Sequence, residues 1–155
     1  YRPLWSHTIL EEVERNLHTT FNRTAEQAAR RVNNMRHYFP DAQVTGYESL
    51  IDMMGNDPKD RHVFAAAVRA NADLIVTYNL KDFPEEALSP YDISAVHPDV
   101  FLCDQFDLNP QKVKQIAQEI VQDMRNPKIA HTEYLAGLRQ IGLTNFAEVL
   151  ESNGF

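Results

Sequence analysis

The segment between Asp57 and Pro84 constrains the fold more than any other part of the sequence. Asp57 suits a helix N-cap, and Asp60 then stands at the third helical position, where a carboxylate can bond free backbone amides. The continuous apolar run Leu74–Val76 follows, and it predicts a short strand that is covered on both faces. This order of helix and strand predicts an open α/β sheet, in which ligands bind at the carboxyl ends of the strands.

Polar side chains are expected to meet at that edge of the sheet. Thr77, Asn79 and Asp82 follow the strand, while Asp57 and Asp60 open the helix before it. Each acid alone has a structural explanation, because aspartates cap helices and end turns. Three carboxylates converging on one edge favour a divalent-metal site, and oxygen ligands suit Mg²⁺ or Mn²⁺ better than zinc.

The motifs of this segment resemble two conserved blocks of the PIN-domain ribonucleases, and most closely the VapC-like toxins of bacterial toxin–antitoxin modules. The resemblance is carried by Asp60–Ala67 and by the loop Thr77–Pro84, with its pattern Thr-x-Asn-x-x-Asp-Phe-Pro. An early helix preceded by Ser6 is similar to the family's early helix, in which an acid follows a serine by six residues. That register selects Glu12 rather than Glu11.

The resemblance implies a PIN-like three-layer α/β fold over residues 1–107, with a parallel central sheet flanked by helices. It implies a cytoplasmic metal-dependent endoribonuclease that hydrolyses RNA phosphodiesters with carboxylate-bound Mg²⁺ or Mn²⁺. A cognate antitoxin and a homodimer are the expected partners. The implied catalytic and metal-binding acids are Glu12, Asp60 and Asp82, with Asp57 as an accessory ligand or only a cap. The implied supporting residues are Thr77, Asn79, Ser6 and Asn16.

The pattern of the first helix agrees with the choice of glutamate. Ser6 is a suitable N-cap, and Glu12 and Asn16 flank the apolar stripe of the helix, whereas Glu11 lies nearer its back. The stripe consists of Ile9, Leu10, Val13 and Leu17. A solvated surface glutamate remains the alternative for Glu12.

One family element has no counterpart in this sequence, namely the central strand that carries the family's first metal-binding aspartate. A parallel sheet without its central strand would leave buried backbone groups unpaired, at a cost of about 1–3 kcal/mol each. We therefore expect this chain alone to be incomplete and inactive, and the preceding segment to be supplied separately.

The net charge of −7 is unusual for a protein that binds RNA, because phosphate contacts need a basic surface. The charge is unevenly distributed, since the stretch from Arg15 to Arg36 carries five arginines and one acid. The candidate RNA-binding residues are Arg30, Arg31 and Arg61. A simple solvated face is an equally good interpretation of the arginine-rich stretch.

The sequence beyond residue 108 predicts only helices. Asn109 and Pro110 open an amphipathic helix, and Asn126-Pro127 breaks the chain before two shorter helices. The apolar stripe of the first helix is Val113, Ile116, Ala117, Ile120, Val121 and Met124. It predicts a packing surface against the domain or a partner, and the sequence does not separate antitoxin binding, dimerisation and stabilisation.

The remaining elements follow from apolar periodicity and caps. Helices are predicted over 7–20, 24–38, 48–54, 99–106, 132–140 and 144–151, and further strands over 42–45 and 93–96. In the second of these helices, Thr24 is the predicted cap and Ala25, Ala28, Ala29, Val32 and Met35 are predicted to pack inward.

Composition excludes several classes of function. Cys103 is the single cysteine, so an intramolecular disulfide and a cysteine-rich zinc site are excluded. No apolar stretch reaches the length of a membrane span, and no glycine-rich phosphate loop occurs. Two alternatives to the ribonuclease remain, a catalytically inactive PIN-like protein-interaction module and a metal-dependent phosphohydrolase of small phosphoesters.

Overall fold

The computed structural model of the protein describes residues 1–21, 23–124 and 128–155. The predicted break at Asn126-Pro127 lies outside the described residues. The α-helices and strands are β1 (Trp5–Ser6), α1 (His7–Thr19), α2 (Ala25–Tyr38), β2 (Gln43–Val44), α3 (Arg61–Arg69), β3 (Leu74–Val76), α4 (Glu85–Leu88), β4 (Ser94–Val96), α5 (Pro98–Leu108), α6 (Pro110–Asp123), α7 (His131–Gln140) and α8 (Thr144–Ser152). Together they confirm the predicted α/β class and the helical C-terminal region.

The strands form two separate pairs in the described part of the chain. β1 pairs with β2 in parallel, so that Trp5 lies opposite Gln43. β3 pairs with β4, where the Ser94 amide donates to the Asp73 carbonyl at 3.1 Å. The predicted parallel strands are therefore present, but as two short ladders.

The burial of β3 differs from the prediction. Ile75 is buried, whereas Leu74 is 36% exposed and Val76 is 43% exposed. Successive side chains of a strand point to opposite faces. Ile75 therefore packs into the core, and Leu74 and Val76 share the opposite face. The prediction that this strand is covered on both faces is wrong.

The chain divides into two compact units. The first unit contains 1–75 and 79–95, and the second contains 76–78 and 96–155. The second unit thus takes in α5, which the sequence placed in the first domain. The domain boundary at residue 107 stays a prediction.

The first unit is built around α3. Phe64 and the alanines at 65–67 are all buried, and they share a core with Val44, Ile75 and Ile93. Small alanine side chains let the helix approach the strands closely, and α3 packs against β1. Complete burial of Phe64 contributes about 1.5–3 kcal/mol.

A second core of this unit lies under α1 and α2, around Trp5, Leu10, Val32 and Ala42. Ser6 caps α1, and Thr24 forms a capping box with Gln27 at the start of α2, so both predicted caps are confirmed. Ala25, which was expected to pack inward, is exposed. As the first residue of the helix it lies before the turn that packs on α1.

The second unit packs α5 and α7 against α8, and α6 against α5. The predicted cap Asn109 is confirmed, because its Oδ1 accepts from the Lys112 amide at 3.0 Å. Of the predicted apolar stripe of α6, the small members Ala117 and Val121 are buried. Ile116, Ile120 and Met124 are exposed instead. Across the described residues, no helix is long and apolar enough to cross a membrane.

Candidate active site

The turn that carries Asp57 and Asp60 is a 3₁₀ turn over Pro58–Asp60, which precedes α3. Asp57 is its N-cap, as predicted, and accepts from the Lys59 amide at 3.1 Å. The sequence predicted Asp60 at the third position of the helix, and this prediction is wrong. Asp60 is the N-cap of α3 and makes no side-chain capping bond. The Asp60 carboxylate is therefore not used to begin the helix.

Asp82 lies in a second 3₁₀ turn, over Leu80–Asp82. Its side chain is only 5% exposed. Its backbone carbonyl accepts from the Asp57 amide at 3.3 Å, and its amide donates to the Asn79 carbonyl at 3.0 Å. These bonds join the two acid-bearing turns directly, and the predicted convergence of these aspartates is present.

Lys59 lies between the two acids. Its Nζ atom donates to Asp82 Oδ2 at 3.0 Å and lies 3.8 Å from Asp60 Oδ2. The hydrogen bond to Asp82 raises the pKa of the Lys59 ammonium above its ordinary value. Among the described ion pairs, Lys59 is the cation that lies next to both Asp60 and Asp82.

Asp60 has a carboxylate oxygen, Oδ2, that is buried without a hydrogen bond in the described part of the structure. Burial raises the pKa of the Asp60 carboxyl above 3.8, the charges of Asp82 and Asp57 raise it further, and Lys59 and His62 act in the opposite direction. A buried, unbonded carboxylate oxygen of this kind is a candidate ligand.

Glu12 reaches this region through His62. Oε1 of Glu12 lies 3.4 Å from Nε2 of His62 and 3.6 Å from Nη2 of Arg15. Glu11 instead lies 3.4 Å from the exposed His7. The helical register that separated Glu12 from Glu11 in the sequence therefore separates their partners in the structure.

The sequence analysis missed three polar residues of this region. Lys59 directly precedes Asp60 in the sequence, and His62 follows it by two residues. Their contacts with Asp82 and Glu12 depend on how α1, α3 and the Asp82 turn pack. Asn56 is 4% exposed, and both polar atoms of its side chain lack a hydrogen-bond partner among the described residues. Its position directly before Asp57 was the signal that could have found it.

The predicted supporting residues have mostly structural contacts. Ser6 is buried and accepts from the Ile9 amide at 3.2 Å. The Asn16 carbonyl accepts from the Thr20 amide at the end of α1. Thr77 belongs to the second unit, where its amide donates to the Val96 carbonyl at 2.9 Å. The site roles of Ser6, Asn16, Thr77 and Asn79 stay predictions.

The predicted RNA-binding arginines fall into two kinds. Arg30 and Arg31 are exposed on α2. Arg61 is half-buried, and its Nε donates to the Asn56 carbonyl at 3.4 Å. Arg61 therefore supports the turn before Asp57.

The acids do not form a ready-made metal cage. In the ranges that the structure describes, no group of three or more histidine, cysteine, aspartate or glutamate side chains has the arrangement of a metal site. The structure brings together Asp60 and Asp82 on either side of one cationic group, and Glu12 lies 3.4 Å from His62. Mg²⁺ keeps several of its waters and is often bound through only one or two carboxylates, so this pair of acids fits a hydrated dication.

Comparison with known proteins identifies the family of the chain. The family model described as PIN domain matches residues 1–81, which is more than half of the chain. The chain belongs to the PIN-domain family. A second family model, described as VapC50 C-terminal domain, matches residues 98–152. The predicted VapC-like resemblance, and with it the PIN-like fold class with a helical C-terminal region, is confirmed.

One curated relative supports the same assignment. The Mycobacterium tuberculosis protein named "Putative ribonuclease VapC50" is 52% identical over 82 residues, which are 53% of this PIN-domain chain and 48% of that protein. The chain thus spans about half the length of the curated relative that it matches. No solved structure matches the chain.

Proposed function

We propose that this PIN-domain protein acts as a metal-dependent endoribonuclease of the VapC toxin type, which hydrolyses RNA phosphodiesters. The observation that carries the proposal is the pairing of Asp60 and Asp82 across one cation, with a buried Asp60 oxygen that has no other partner. The name of the Mycobacterium tuberculosis relative, a ribonuclease, supports the same activity.

Asp60 and Asp82 would hold Mg²⁺ or Mn²⁺, with Glu12 as the third acid and Asp57 as an accessory one. The bound ion would supply an activated water and stabilise charge on the departing oxygen. Glu12, held by His62, would orient that water and accept its proton. Asn79 would orient a carboxylate or a phosphate through hydrogen bonds.

Arg30 and Arg31 would contact the phosphate backbone of the RNA. Both are exposed on α2, and neither has an ion-pair partner within the described residues, so their charge is available to phosphate. Arg61 would contribute less directly, because its guanidinium already supports the turn before Asp57.

The partner that we propose for the helical C-terminal region is a cognate antitoxin, and we propose a homodimer as the oligomeric state. Ile116 and Ile120 on α6 and Met124 at its C-cap support protein contact, because they form an exposed apolar face at helical spacing. These assignments are independent of the metal site.

A catalytically inactive PIN-like interaction module is the second candidate. The exposed apolar face of α6 favours it, and so does the lack of a three-ligand metal group in the described ranges. This candidate predicts protein binding without any binding of dications.

Two measurements separate these functions. Calorimetry with Mn²⁺ should detect binding that Asp82→Asn abolishes, whereas no binding would favour the interaction module. The full-length protein should cleave single-stranded RNA in the presence of Mn²⁺, and EDTA should block the reaction. Turnover of p-nitrophenyl phosphate without RNA cleavage would indicate a phosphohydrolase of small phosphoesters instead.

A further inference from the structure

The Lys59 ammonium lies between two of the acids that we propose as metal ligands. Its Nζ atom lies 3.0 Å from Asp82 Oδ2 and 3.8 Å from Asp60 Oδ2. We infer that the Lys59 ammonium is a built-in counter-ion of the metal-free site, which a divalent cation must displace from Asp60 and Asp82. This inference rests on the proposed function, because it assumes that these acids bind the metal.

The different burial of the acids and of Lys59 supports the exchange of the Lys59 ammonium for a divalent cation. Asp82 is almost fully buried, so its charge needs a partner at all times. The Lys59 side chain is 62% exposed, so its ammonium can leave the acids for water at little cost in desolvation. The carboxylates are thus fixed in place, while the ammonium that neutralises them can move.

The backbone fixes the origin of the lysine side chain. The Lys59 amide donates to Asp57 Oδ1 at 3.1 Å, within the 3₁₀ turn Pro58–Asp60. Only the flexible stem has to move when the ammonium leaves. The turn that presents Asp60 can keep its conformation with and without metal.

The charge of the carboxylates favours a dication over the Lys59 ammonium. Asp57, Asp60 and Asp82 all act on Lys59, and one ammonium neutralises only one of these negative charges. A dication neutralises two, and it has the oxygen preference that carboxylates satisfy. The dication therefore displaces the Lys59 ammonium from Asp60 and Asp82. Its affinity for the two acids is lower than it would be without Lys59, because the ammonium must first be removed.

The first test compares the affinity of purified variants for Mn²⁺ by calorimetry. Lys59→Met should bind Mn²⁺ about fivefold more tightly than the wild type, because no ammonium has to be displaced from the carboxylates and an exposed ammonium contributes little to an ion pair. Lys81→Met is the matched control, since Lys81 is exposed, adjoins Asp82 and makes no ion pair among the described residues. Lys59→Arg keeps a cation in place and should bind as the wild type does.

The second test uses the wild-type protein, so it does not depend on the folding of a variant. Acylation by an N-hydroxysuccinimide ester is followed at each lysine by mass spectrometry, with and without Mn²⁺. Release of the Lys59 ammonium should increase its acylation rate when Mn²⁺ binds, whereas the rate at Lys81 should stay unchanged.

The outcomes distinguish this inference from the proposed function. Tighter binding by Lys59→Met alone, with faster acylation of Lys59, supports the displacement. Equal Mn²⁺ affinities of Lys59→Met, Lys81→Met and the wild type overturn the displacement and leave the metal site intact. No Mn²⁺ binding by any of these proteins overturns the metal site and the displacement together.

Discussion

Nε2 of His62 lies 3.4 Å from Oε1 of Glu12 and connects the start of α3 to the middle of α1. The His62 side chain is only 12% exposed, and its ring nitrogens make no hydrogen bond within the described residues. Glu12 is therefore the group that the buried imidazole faces. His62 positions Glu12 for the chemistry that we propose, as outer groups do around metal-binding side chains.

We expect His62→Ala to lower metal-dependent RNA cleavage by about 10- to 100-fold, the usual effect of removing a group that orients a ligand. His7→Ala is the matched control, because His7 lies at the same distance from the exposed Glu11. Cleavage rates and Mn²⁺ affinities of both variants check the prediction. An equal effect of the two substitutions would remove the assigned role of His62.

We expect Asp60→Asn to be more stable than the wild type at pH 7 without metal. Burial raises the pKa of the Asp60 carboxyl above 3.8, so the folded state binds its proton more tightly than the unfolded state. The stability linked to this group is complete below pH 3.8 and is lost as the pH rises through the folded-state pKa. The neutral amide avoids that loss, so the melting temperature of Asp60→Asn should exceed that of the wild type by about 1–3 °C at pH 7.

Thermal melts in EDTA at several pH values provide the check. The difference in melting temperature should shrink as the pH falls toward 4, because the wild-type carboxyl then takes up its proton. A lower melting temperature of Asp60→Asn at pH 7 would show that the ionised carboxylate stabilises the fold.

Asp99 is expected to be essential for the stability of the second unit. The buried carboxylate accepts from the Asn145 amide at 3.1 Å and from the Phe146 amide at 2.8 Å, at the start of α8. Asp99→Ala leaves these two amides without an acceptor and should lower the free energy of unfolding by about 3 kcal/mol. Urea denaturation checks this, with the exposed Asp107→Ala as a control that should change little. Equal stabilities of the two variants would contradict the capping role.

Arg30 and Arg31 are expected to contribute salt-dependent affinity for RNA. The double substitution R30Q and R31Q should reduce the slope of log K against log salt by about 1.4, since each phosphate contact on single-stranded RNA contributes about 0.7. Fluorescence anisotropy with a labelled RNA at several salt concentrations measures the slope. An unchanged slope would assign the two arginines to a solvated face.

Local interactions made much of this structure predictable from the sequence. The caps Ser6, Thr24 and Asn109 depend on residues within one turn of each helix, and all three are confirmed. The family resemblance selected Glu12 rather than Glu11, and the helical register of α1 agreed with that choice. The order of helix, strand and loop predicted that Asp57, Asp60 and Asp82 meet at one edge of the sheet.

Contacts between distant segments were not predictable in the same way. Lys59 could be expected near Asp60, but its bond to Asp82 depends on how the two 3₁₀ turns pack. His62 reaches Glu12 only because α1 and α3 lie in one unit. The exposure of Leu74 and Val76 was not predicted. An apolar run shows that both faces of a strand could be buried, but it does not show whether other elements pack on both faces.

The most direct test of the proposed function is the rate of Mn²⁺-dependent RNA cleavage by the full-length protein carrying Asp60→Asn, with the exposed Asp52→Asn as the control. The expected stability of Asp60→Asn ensures that a lost activity reflects the missing carboxylate. We predict a loss of at least about a hundredfold for Asp60→Asn and wild-type cleavage for Asp52→Asn. Cleavage by folded Asp60→Asn at the wild-type rate would contradict the metal-dependent mechanism.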